Sequence, residues 1–184
     1  MSNIWLTSDL HLCHDREFLY GPRGFDNVND MNKAIVERWN AVVQPDDIVY
    51  VLGDIMLNNN DEGMHLLKSL KGHIHIVLGN HDTATRQSLY PTSPNVEDVQ
   101  LAAMLKYKGY HFFMTHYPCM TGNLDYDKPL KQRILNLCGH SHVQDKWADA
   151  DKGYIYHCEL DAHNCYPVLI DDIIVDFINL FGQK

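Results

Sequence analysis

Residues 76–82 read IVLGNHD, in which a run of apolar residues stops at a glycine and three polar residues follow at once. The apolar run is typical of a buried strand. A turn alone could use Gly79-Asn80, but nothing in a turn requires His81 and Asp82 as well. We therefore interpret this stretch as the end of a central strand that carries functional side chains.

The same arrangement recurs at four other places in the chain. Apolar or aromatic runs at 4–6, 48–52, 112–115 and 134–138 are each followed by polar residues. Ligands of α/β sheets bind outside the carboxyl ends of the strands, so these five strand ends can converge on one crevice. The side chains that they offer to it are Asp9, His11, Asp54, Asn80, His116, His140 and His142.

This set of side chains has the chemistry of a metal site. Carboxylate, amide and imidazole groups together suit Mn²⁺, Fe, Zn²⁺ or Ni²⁺, and the set holds too much imidazole for a dedicated Mg²⁺ or Ca²⁺ site. Seven ligands exceed what one tetrahedral ion needs, so the sequence predicts two ions. Asp54 is the natural bridge because its turn is central in the order. Two ions roughly 3.5–4 Å apart would hold a shared hydroxide and clamp the oxygens of a phosphate.

The rest of the chain predicts an α/β fold. Further strands are expected at 154–158 and around 168–170. Amphipathic helices are expected at 28–42, at 60–71 and near the C-terminus, where apolar residues recur at steps of three and four. Two segments without clear periodicity, 12–27 and 117–131, are expected to be loops. Alternating strands and helices indicate an α/β fold with mixed sheets near the end.

Composition narrows the class of protein further. A chain of 184 residues favours a single domain spanning residues 1–184. The net charge of −9 argues against non-specific nucleic-acid binding. No signal peptide and no apolar run long enough for a membrane span are recognised. Five cysteines without a CxxC pair are then expected to be reduced thiols in a cytoplasmic protein.

The ordered motifs resemble those of the calcineurin-like metallophosphoesterase superfamily. They are Asp9-x-His11, Gly53-Asp54, Gly79-Asn80-His81-Asp82, His116 and Gly139-His140-x-His142, and they extend over about three-quarters of the chain. Each motif alone is weak, whereas all five in order are specific. The resemblance implies a four-layer metallophosphoesterase sandwich, in which two mixed β-sheets are flanked by helices. It also implies two divalent transition-metal ions, with manganese favoured and iron, nickel or zinc as alternatives.

The resemblance further implies a role for each motif residue. The first ion would be held by Asp9, His11, Asp54 and His142. The second would be held by Asp54, Asn80, His116 and His140. A metal-bridging hydroxide would act as the nucleophile of a phosphohydrolase, and His81 would stabilise the transition state and protonate the leaving oxygen. Asp82 is the candidate to orient His81.

The sequence departs from one branch of the family. Protein serine/threonine phosphatases extend the second motif to GDxVDRG, whereas Ile55-Met56-Leu57-Asn58 follows Asp54 here, without an arginine. The chain also has no room for a cap domain, so it looks like the small stand-alone phosphoesterases, many of which act on phosphodiesters. The candidates for phosphate binding are His14, Arg16 and Arg23 in the first long loop, and Lys128, Lys131 and Arg133 in the second.

The sequence therefore predicts a dinuclear phosphodiesterase that acts on a small-molecule or nucleotide phosphate ester and has no membrane partner. One alternative is a phosphomonoesterase for nucleotides or other small phosphate esters. Another is a non-catalytic metal-binding scaffold, as in the retromer subunit of the same family. In that subunit the catalytic histidine is replaced, whereas His81 is present here. The charge of −9 and the lack of a basic stripe argue against a third alternative, a nucleic-acid-binding domain.

Overall fold

The protein is described from a computed structural model that covers residues 2–121 and 128–182. Within these ranges the chain forms nine strands and five α-helices. The strands are β1 (Ile4–Thr7), β2 (Ile48–Val51), β3 (His73–Val77), β4 (Val96–Gln100), β5 (Ala103–Tyr107), β6 (Tyr110–Met114), β7 (Ile134–Cys138), β8 (Ile155–His157) and β9 (Val168–Leu169). The helices are α1 (Glu17–Tyr20), α2 (Val28–Val42), α3 (Asn60–Ser69), α4 (Ala84–Leu89) and α5 (Ile170–Phe181).

The strands form two mixed sheets. The first has the order β4-β3-β2-β1-β9, in which β1 to β4 are parallel and β9 is antiparallel to β1. The second has the order β5-β6-β7-β8, in which β5 is antiparallel to β6 and the other pairs are parallel. With helices flanking these sheets, the predicted α/β sandwich is confirmed.

The two faces of the first sheet bury different apolar clusters, because successive side chains of a strand point to opposite faces. On the outer face, Val49 and Val51 belong to a fully buried cluster with Trp39 of α2. On the inner face, Leu6 belongs to a second cluster with Phe112 of the other sheet. Helix α5 adds its apolar face to that second cluster. The second cluster therefore holds the two sheets together, and the first packs the helices against the outer face of the first sheet.

Four elements were absent from the sequence-based prediction. Strands β4 and β5 lie at the edges of their sheets, and β4 reads VEDVQ, which has no apolar run. Helices α1 and α4 have four and six residues, too few to produce a helical period. Helix α3 ends at Ser69 rather than Lys71, and α5 begins at Ile170, at the end of the predicted strand. The second predicted loop, 117–131, lies partly outside the described residues.

No helix in the described ranges has the length and apolar character needed to cross a membrane.

Candidate metal centre and substrate cleft

The loops that follow β1, β2, β3, β6 and β7 meet at one place, as the sequence predicted. The amide of Asp9 donates a hydrogen bond to the carbonyl of Gly53 at 3.0 Å, which joins the first loop to the second. The amide of Gly139 donates to the carbonyl of His116 at 2.9 Å, which joins the loops of the second sheet. All seven predicted metal ligands lie on these loops.

Three motif glycines allow the loops to approach each other closely. A Cβ atom on Gly79 would overlap Oδ1 of Asp54, and one on Gly139 would overlap Oδ2 of Asp9. Gly53 has a φ of +95°, and a Cβ there would lie 2.7 Å from the backbone of Gly79. A side chain at any of these positions would push a predicted ligand or its loop aside.

Most of the predicted ligands have a backbone conformation that non-glycine residues rarely adopt. Their φ values lie between 49° and 75°, in the left-handed region, and the residues are Asp9, His11, Asp54, His140 and His142. Such a conformation costs of order 1 kcal/mol or more for each residue and concentrates at functional sites. The surrounding hydrogen bonds and packing must therefore hold these loops in place.

The first group of ligand atoms comprises Asp9, His11 and His142. Oδ1 of Asp9 lies 3.6 Å from Nε2 of His11 and 3.7 Å from Nε2 of His142. One ligand atom from each of the three residues lies within 4.8 Å of the other two. Oδ1 of Asp9 and Nε2 of His11 are buried without a hydrogen-bond partner. A buried polar atom without a partner is costly, so a cation fits between these atoms.

The second group centres on Asp54 and Asn80. Oδ2 of Asp54 lies 3.6 Å from Nε2 of His116 and 3.7 Å from Nε2 of His11, so this carboxylate stands between the two groups. Oδ1 of Asn80 lies 2.8 Å from Nε2 of His116 and 2.9 Å from Nδ1 of His140. Asp9, Asp54 and His116 also offer ligand atoms within 4.8 Å of one another. The arrangement fits a second cation.

Hydrogen bonds fix which nitrogen of two predicted ligands faces the centre. Nδ1 of His116 donates to the carbonyl of Leu52 at 2.8 Å, which leaves Nε2 free to bind a cation. Nδ1 of His142 donates to Oδ2 of Asp161 at 3.0 Å, so its Nε2 likewise faces Asp9. Partners of this kind orient the ligands of metal sites.

Burial controls the charge at the centre. It lowers the pKa of His11 to about 4, although the hydrogen bond and charge of Asp9 act in the opposite direction. Burial also raises the pKa of Asp54, and the charge of His116 opposes that effect. A cation placed here would favour the ionised carboxylate, and it would find the imidazole of His11 already neutral at pH 7.

His81 lies at the rim of the centre, where its side chain is 43% exposed. Its amide donates to Oδ1 of Asp54 at 2.8 Å, and its Nε2 lies 3.9 Å from Oδ2 of the same residue. Arg86 of α4 donates to the carbonyl of His81 at 2.5 Å. The backbone of His81 is therefore fixed, while its imidazole remains accessible from solvent.

Asp82 does not contact the imidazole of His81, so the prediction that it orients His81 needs correction. Its Oδ2 accepts hydrogen bonds from the amides of Asp54 at 2.9 Å and Gly79 at 2.7 Å. Its Oδ1 accepts one from the hydroxyl of Tyr90 at 2.5 Å. The carboxylate is buried and fastens the second loop to the third, so it supports the site without reaching the reacting atoms.

The three candidate substrate residues of the first loop lie in different surroundings. His14 lines the cleft, and its Nδ1 lies 3.2 Å from Nδ1 of His11. Arg16 is exposed, and its guanidinium donates to the carbonyl of Asp15. It does not line the cleft in the described part of the chain.

Arg23 requires a second correction. Its guanidinium is 1% exposed and donates to both carboxylate oxygens of Asp161, at 3.0 and 2.7 Å. It also donates to the carbonyls of Asp9 and Leu10. Because these protein acceptors occupy it, Arg23 supports Asp161 and the first loop rather than a substrate phosphate. None of the basic candidates from the second loop lines the cleft formed by the described residues.

Comparison with known proteins decides the family. Residues 3–157 match the calcineurin-like phosphoesterase superfamily domain. The chain belongs to the calcineurin-like phosphoesterase superfamily. It is therefore a metal-dependent phosphoesterase, as the sequence predicted.

Relatives of this phosphoesterase match it over nearly its whole length. An uncharacterized protein of Methanocaldococcus jannaschii, MJ1445, is 35% identical over 95% of this chain and 90% of its own length. The gene 66 protein of Mycobacterium phage D29 is 34% identical over 91% of this chain and 93% of its own length. The crystal structure of the protein of unknown function AQ665 from Aquifex aeolicus is 21% identical, covers 95% of this chain and 98% of that chain, and has a TM-score of 0.73. This last similarity supports the fold.

The cleft of this phosphoesterase has a volume of about 470 Å³ and opens over the predicted ligands. Sequence reasoning did not assign four of the residues that line it, which are Phe18, Leu19, Pro22 and Asp161. Asp161 lies in the stretch Asp161-Ala162-His163-Asn164, which belongs to none of the five motifs. The three others belong to a loop without periodicity, where the sequence carried no signal of a wall beside the metal centre.

Proposed function

We propose that the chain is a dinuclear metal-dependent phosphodiesterase. The observation that carries this proposal is the pair of ligand groups around Asp54, with buried atoms of Asp9 and His11 that have no other partner. The first ion would be bound by Asp9, His11, Asp54 and His142. The second would be bound by Asp54, Asn80, His116 and His140.

The proposed reaction uses His81 as its main protein group. Two divalent ions, when bound by these residues, would lower the pKa of water and offset the negative charge of a phosphate. The accessible imidazole of His81 would donate a proton to the leaving oxygen, which is the role of a general acid. Its backbone contacts to Asp54 and Arg86 keep the imidazole at the rim of the centre. His14, which lines the cleft beside His11, is the proposed substrate contact.

The charge of the cleft supports a diester over a monoester. Its lining in the described residues includes no lysine and no arginine. A monoester carries up to two negative charges near neutral pH and a diester carries one. With no lysine or arginine to add to the charge of the two proposed ions, the cleft favours the diester. We propose a small-molecule or nucleotide phosphodiester as the substrate.

The ligand types support a proposal for the metal, and the cysteines support one for the cellular compartment. Carboxylate, amide and imidazole ligands fit Mn²⁺ and also accept Fe, Ni²⁺ or Zn²⁺, and we propose Mn²⁺. All five cysteines lie within the described residues, and all are free thiols. Free thiols fit a reducing compartment, which supports the proposal of a cytoplasmic enzyme.

The choice between diester and monoester is tested by comparing two substrates that share a leaving group. Bis-p-nitrophenyl phosphate and p-nitrophenyl phosphate are supplied to the Mn²⁺-loaded protein, and kcat/KM is measured for each. We expect the diester to be preferred by at least about tenfold, which is a difference of about 1.4 kcal/mol in transition-state stabilisation. Preference for the monoester would identify a phosphomonoesterase. No turnover of either ester, by protein with two bound ions, would favour a scaffold.

A further inference from the structure

Phe18 presents an aromatic ring at the mouth of the cleft. Its side chain is 72% exposed, although the residue lies in helix α1 beside the metal centre. A single exposed apolar residue is ordinary on a protein surface. The position of Phe18 is informative because it lines the same cleft as His11, Asp54 and His81.

The segment that carries Phe18 is firmly anchored. Leu19 is buried in the cluster that also contains Trp39, and Tyr20 and Phe25 pack against the same cluster. Arg23 pairs with Asp161 a few residues later. Because Leu19 is buried and holds the backbone in place, the side chain of Phe18 next to it points to solvent.

A row of rings connects Phe18 to the predicted metal ligands. The ring of Phe18 lies edge-on to that of His14, with centroids 5.8 Å apart. The ring of His14 lies 5.2 Å from that of His11 and 6.2 Å from that of His81. A phosphate held at the centre therefore has His14 beside it, with Phe18 one ring further out.

The wall of the cleft next to Phe18 contains two further apolar residues. Leu19 and Pro22 line the cleft beside it, and no lysine or arginine lines the cleft in the described residues. Such a wall would not favour a second phosphate or a sugar-only group. The wall suits a flat, apolar ligand group, because aromatic rings stack on one another with ring centroids 4.5–7 Å apart.

We propose that Phe18 forms a subsite for a flat aromatic group in the organic part of the substrate. The group is a nucleobase or another aryl ring, and its phosphate lies at the metal centre. This inference rests on the proposed function, because it specifies the substrate class of the same cleft. Stacking on an aromatic side chain strengthens nucleic-acid binding by roughly 5- to 150-fold per base.

The test measures binding of phosphonates, whose C–P bond neither a diesterase nor a monoesterase cleaves by ester hydrolysis. Ethylphosphonate, phenylphosphonate and the methylenephosphonate analogue of thymidine 5′-phosphate are titrated into Mn²⁺-loaded protein by calorimetry. We expect the phenyl and thymidine ligands to bind at least about tenfold more tightly than the ethyl ligand. Tighter binding of the thymidine ligand than of the phenyl ligand would indicate a nucleobase, and the reverse would indicate another aryl group.

Variants of the exposed ring provide the decisive comparison. In Phe18→Ala the preference for phenyl over ethyl should fall below about threefold, whereas Phe18→Tyr should keep it. Tyr166→Ala, which removes an exposed ring outside the cleft, is the matched control and should bind like the wild type. Thermal unfolding verifies that each variant folds.

Equal binding of all ligands by the wild type, no binding of any, or a preference that survives Phe18→Ala would overturn the subsite. Failure of the proposed function has a different signature. Phosphonates would still show the aromatic preference, while no diester would be hydrolysed by the same preparation.

Discussion

Oδ2 of Asp161 lies 3.0 Å from Nδ1 of His142, and the same carboxylate forms a two-point ion pair with the buried guanidinium of Arg23. Burial alone would raise the pKa of Asp161, but hydrogen bonds from His142 and Arg23 hold it well below the usual range. Burial acts to lower the pKa of His142, yet the hydrogen bond of Asp161 and the charge of Asp9 raise it. The carboxylate of Asp161 thus fixes the orientation of His142 by binding the ring nitrogen that does not face Asp9.

Removing this support should weaken metal binding. We expect Asp161→Ala to lower Mn²⁺ affinity by roughly 10- to 100-fold, the range found for partners of metal ligands. Asp161→Asn, which keeps an oxygen for His142, should lose less. Calorimetric titration of chelator-treated protein measures the effect. Asp171→Ala is the control, because the side-chain partners of that carboxylate within the described residues are Lys108 and Tyr107, away from the centre. Wild-type affinity in Asp161→Ala would refute this role.

The contact between the third and second loops should tolerate no side chain at Gly79. A methyl group there would overlap Oδ1 of Asp54, so Gly79→Ala should displace that carboxylate and abolish binding of both ions. Gly153→Ala is the matched control, since its added methyl group would meet nothing closer than 3.9 Å. Bound Mn²⁺ per chain, counted after equilibrium dialysis, distinguishes the two variants. Two ions bound by Gly79→Ala would contradict the close approach.

Asp82 should act on stability more than on chemistry. Asp82→Ala leaves the buried amides of Asp54 and Gly79 and the hydroxyl of Tyr90 without their acceptor. We expect the free energy of unfolding to fall by roughly 3 kcal/mol, as unpaired buried groups cost about 1–3 kcal/mol each and the loops relax in part. Urea denaturation measures it, and Tyr90→Phe should lose only about 1 kcal/mol. An Asp82→Ala protein with unchanged stability and much lower kcat would instead restore the role of an orienting residue.

His81 should contribute to catalysis without contributing to metal binding. We expect His81→Ala to bind two ions like the wild type and to lose roughly 10²-fold or more in kcat, the range for loss of a general acid. The effect should be largest on a diester with a poor, alkyl leaving group, since such an oxygen needs the proton most. Retained activity on that diester would eliminate His81 as the proton donor.

The sequence was informative wherever a strand end coincided with a motif. Each predicted ligand follows an apolar run, and the runs mark buried strands whose carboxyl ends meet. Asp82 was misread because it is adjacent to His81 in sequence, whereas the turn directs its carboxylate back to Gly79 and Asp54. Arg23 was misread for a similar reason, because its partner Asp161 is distant in sequence.

Elements without a periodic pattern of apolar residues could not be predicted from the sequence. Strand β4 pairs at a sheet edge through backbone hydrogen bonds, which its polar side chains do not reveal. Phe18 sits in a four-residue helix, and its exposure depends on the burial of Leu19 next to it. Tertiary packing decides both features, so no local pattern could predict them.

We propose that two ions at one centre are required for hydrolysis of a phosphodiester. The most direct test adds Mn²⁺ in steps to chelator-treated protein, and follows bound metal and bis-p-nitrophenyl phosphate hydrolysis in the same samples. We expect no activity in the absence of metal and a plateau of activity at two ions per chain. Asp54→Asn should reach neither two bound ions nor the activity of the wild type. Full activity at one ion per chain, or activity that survives complete removal of metal, would contradict it.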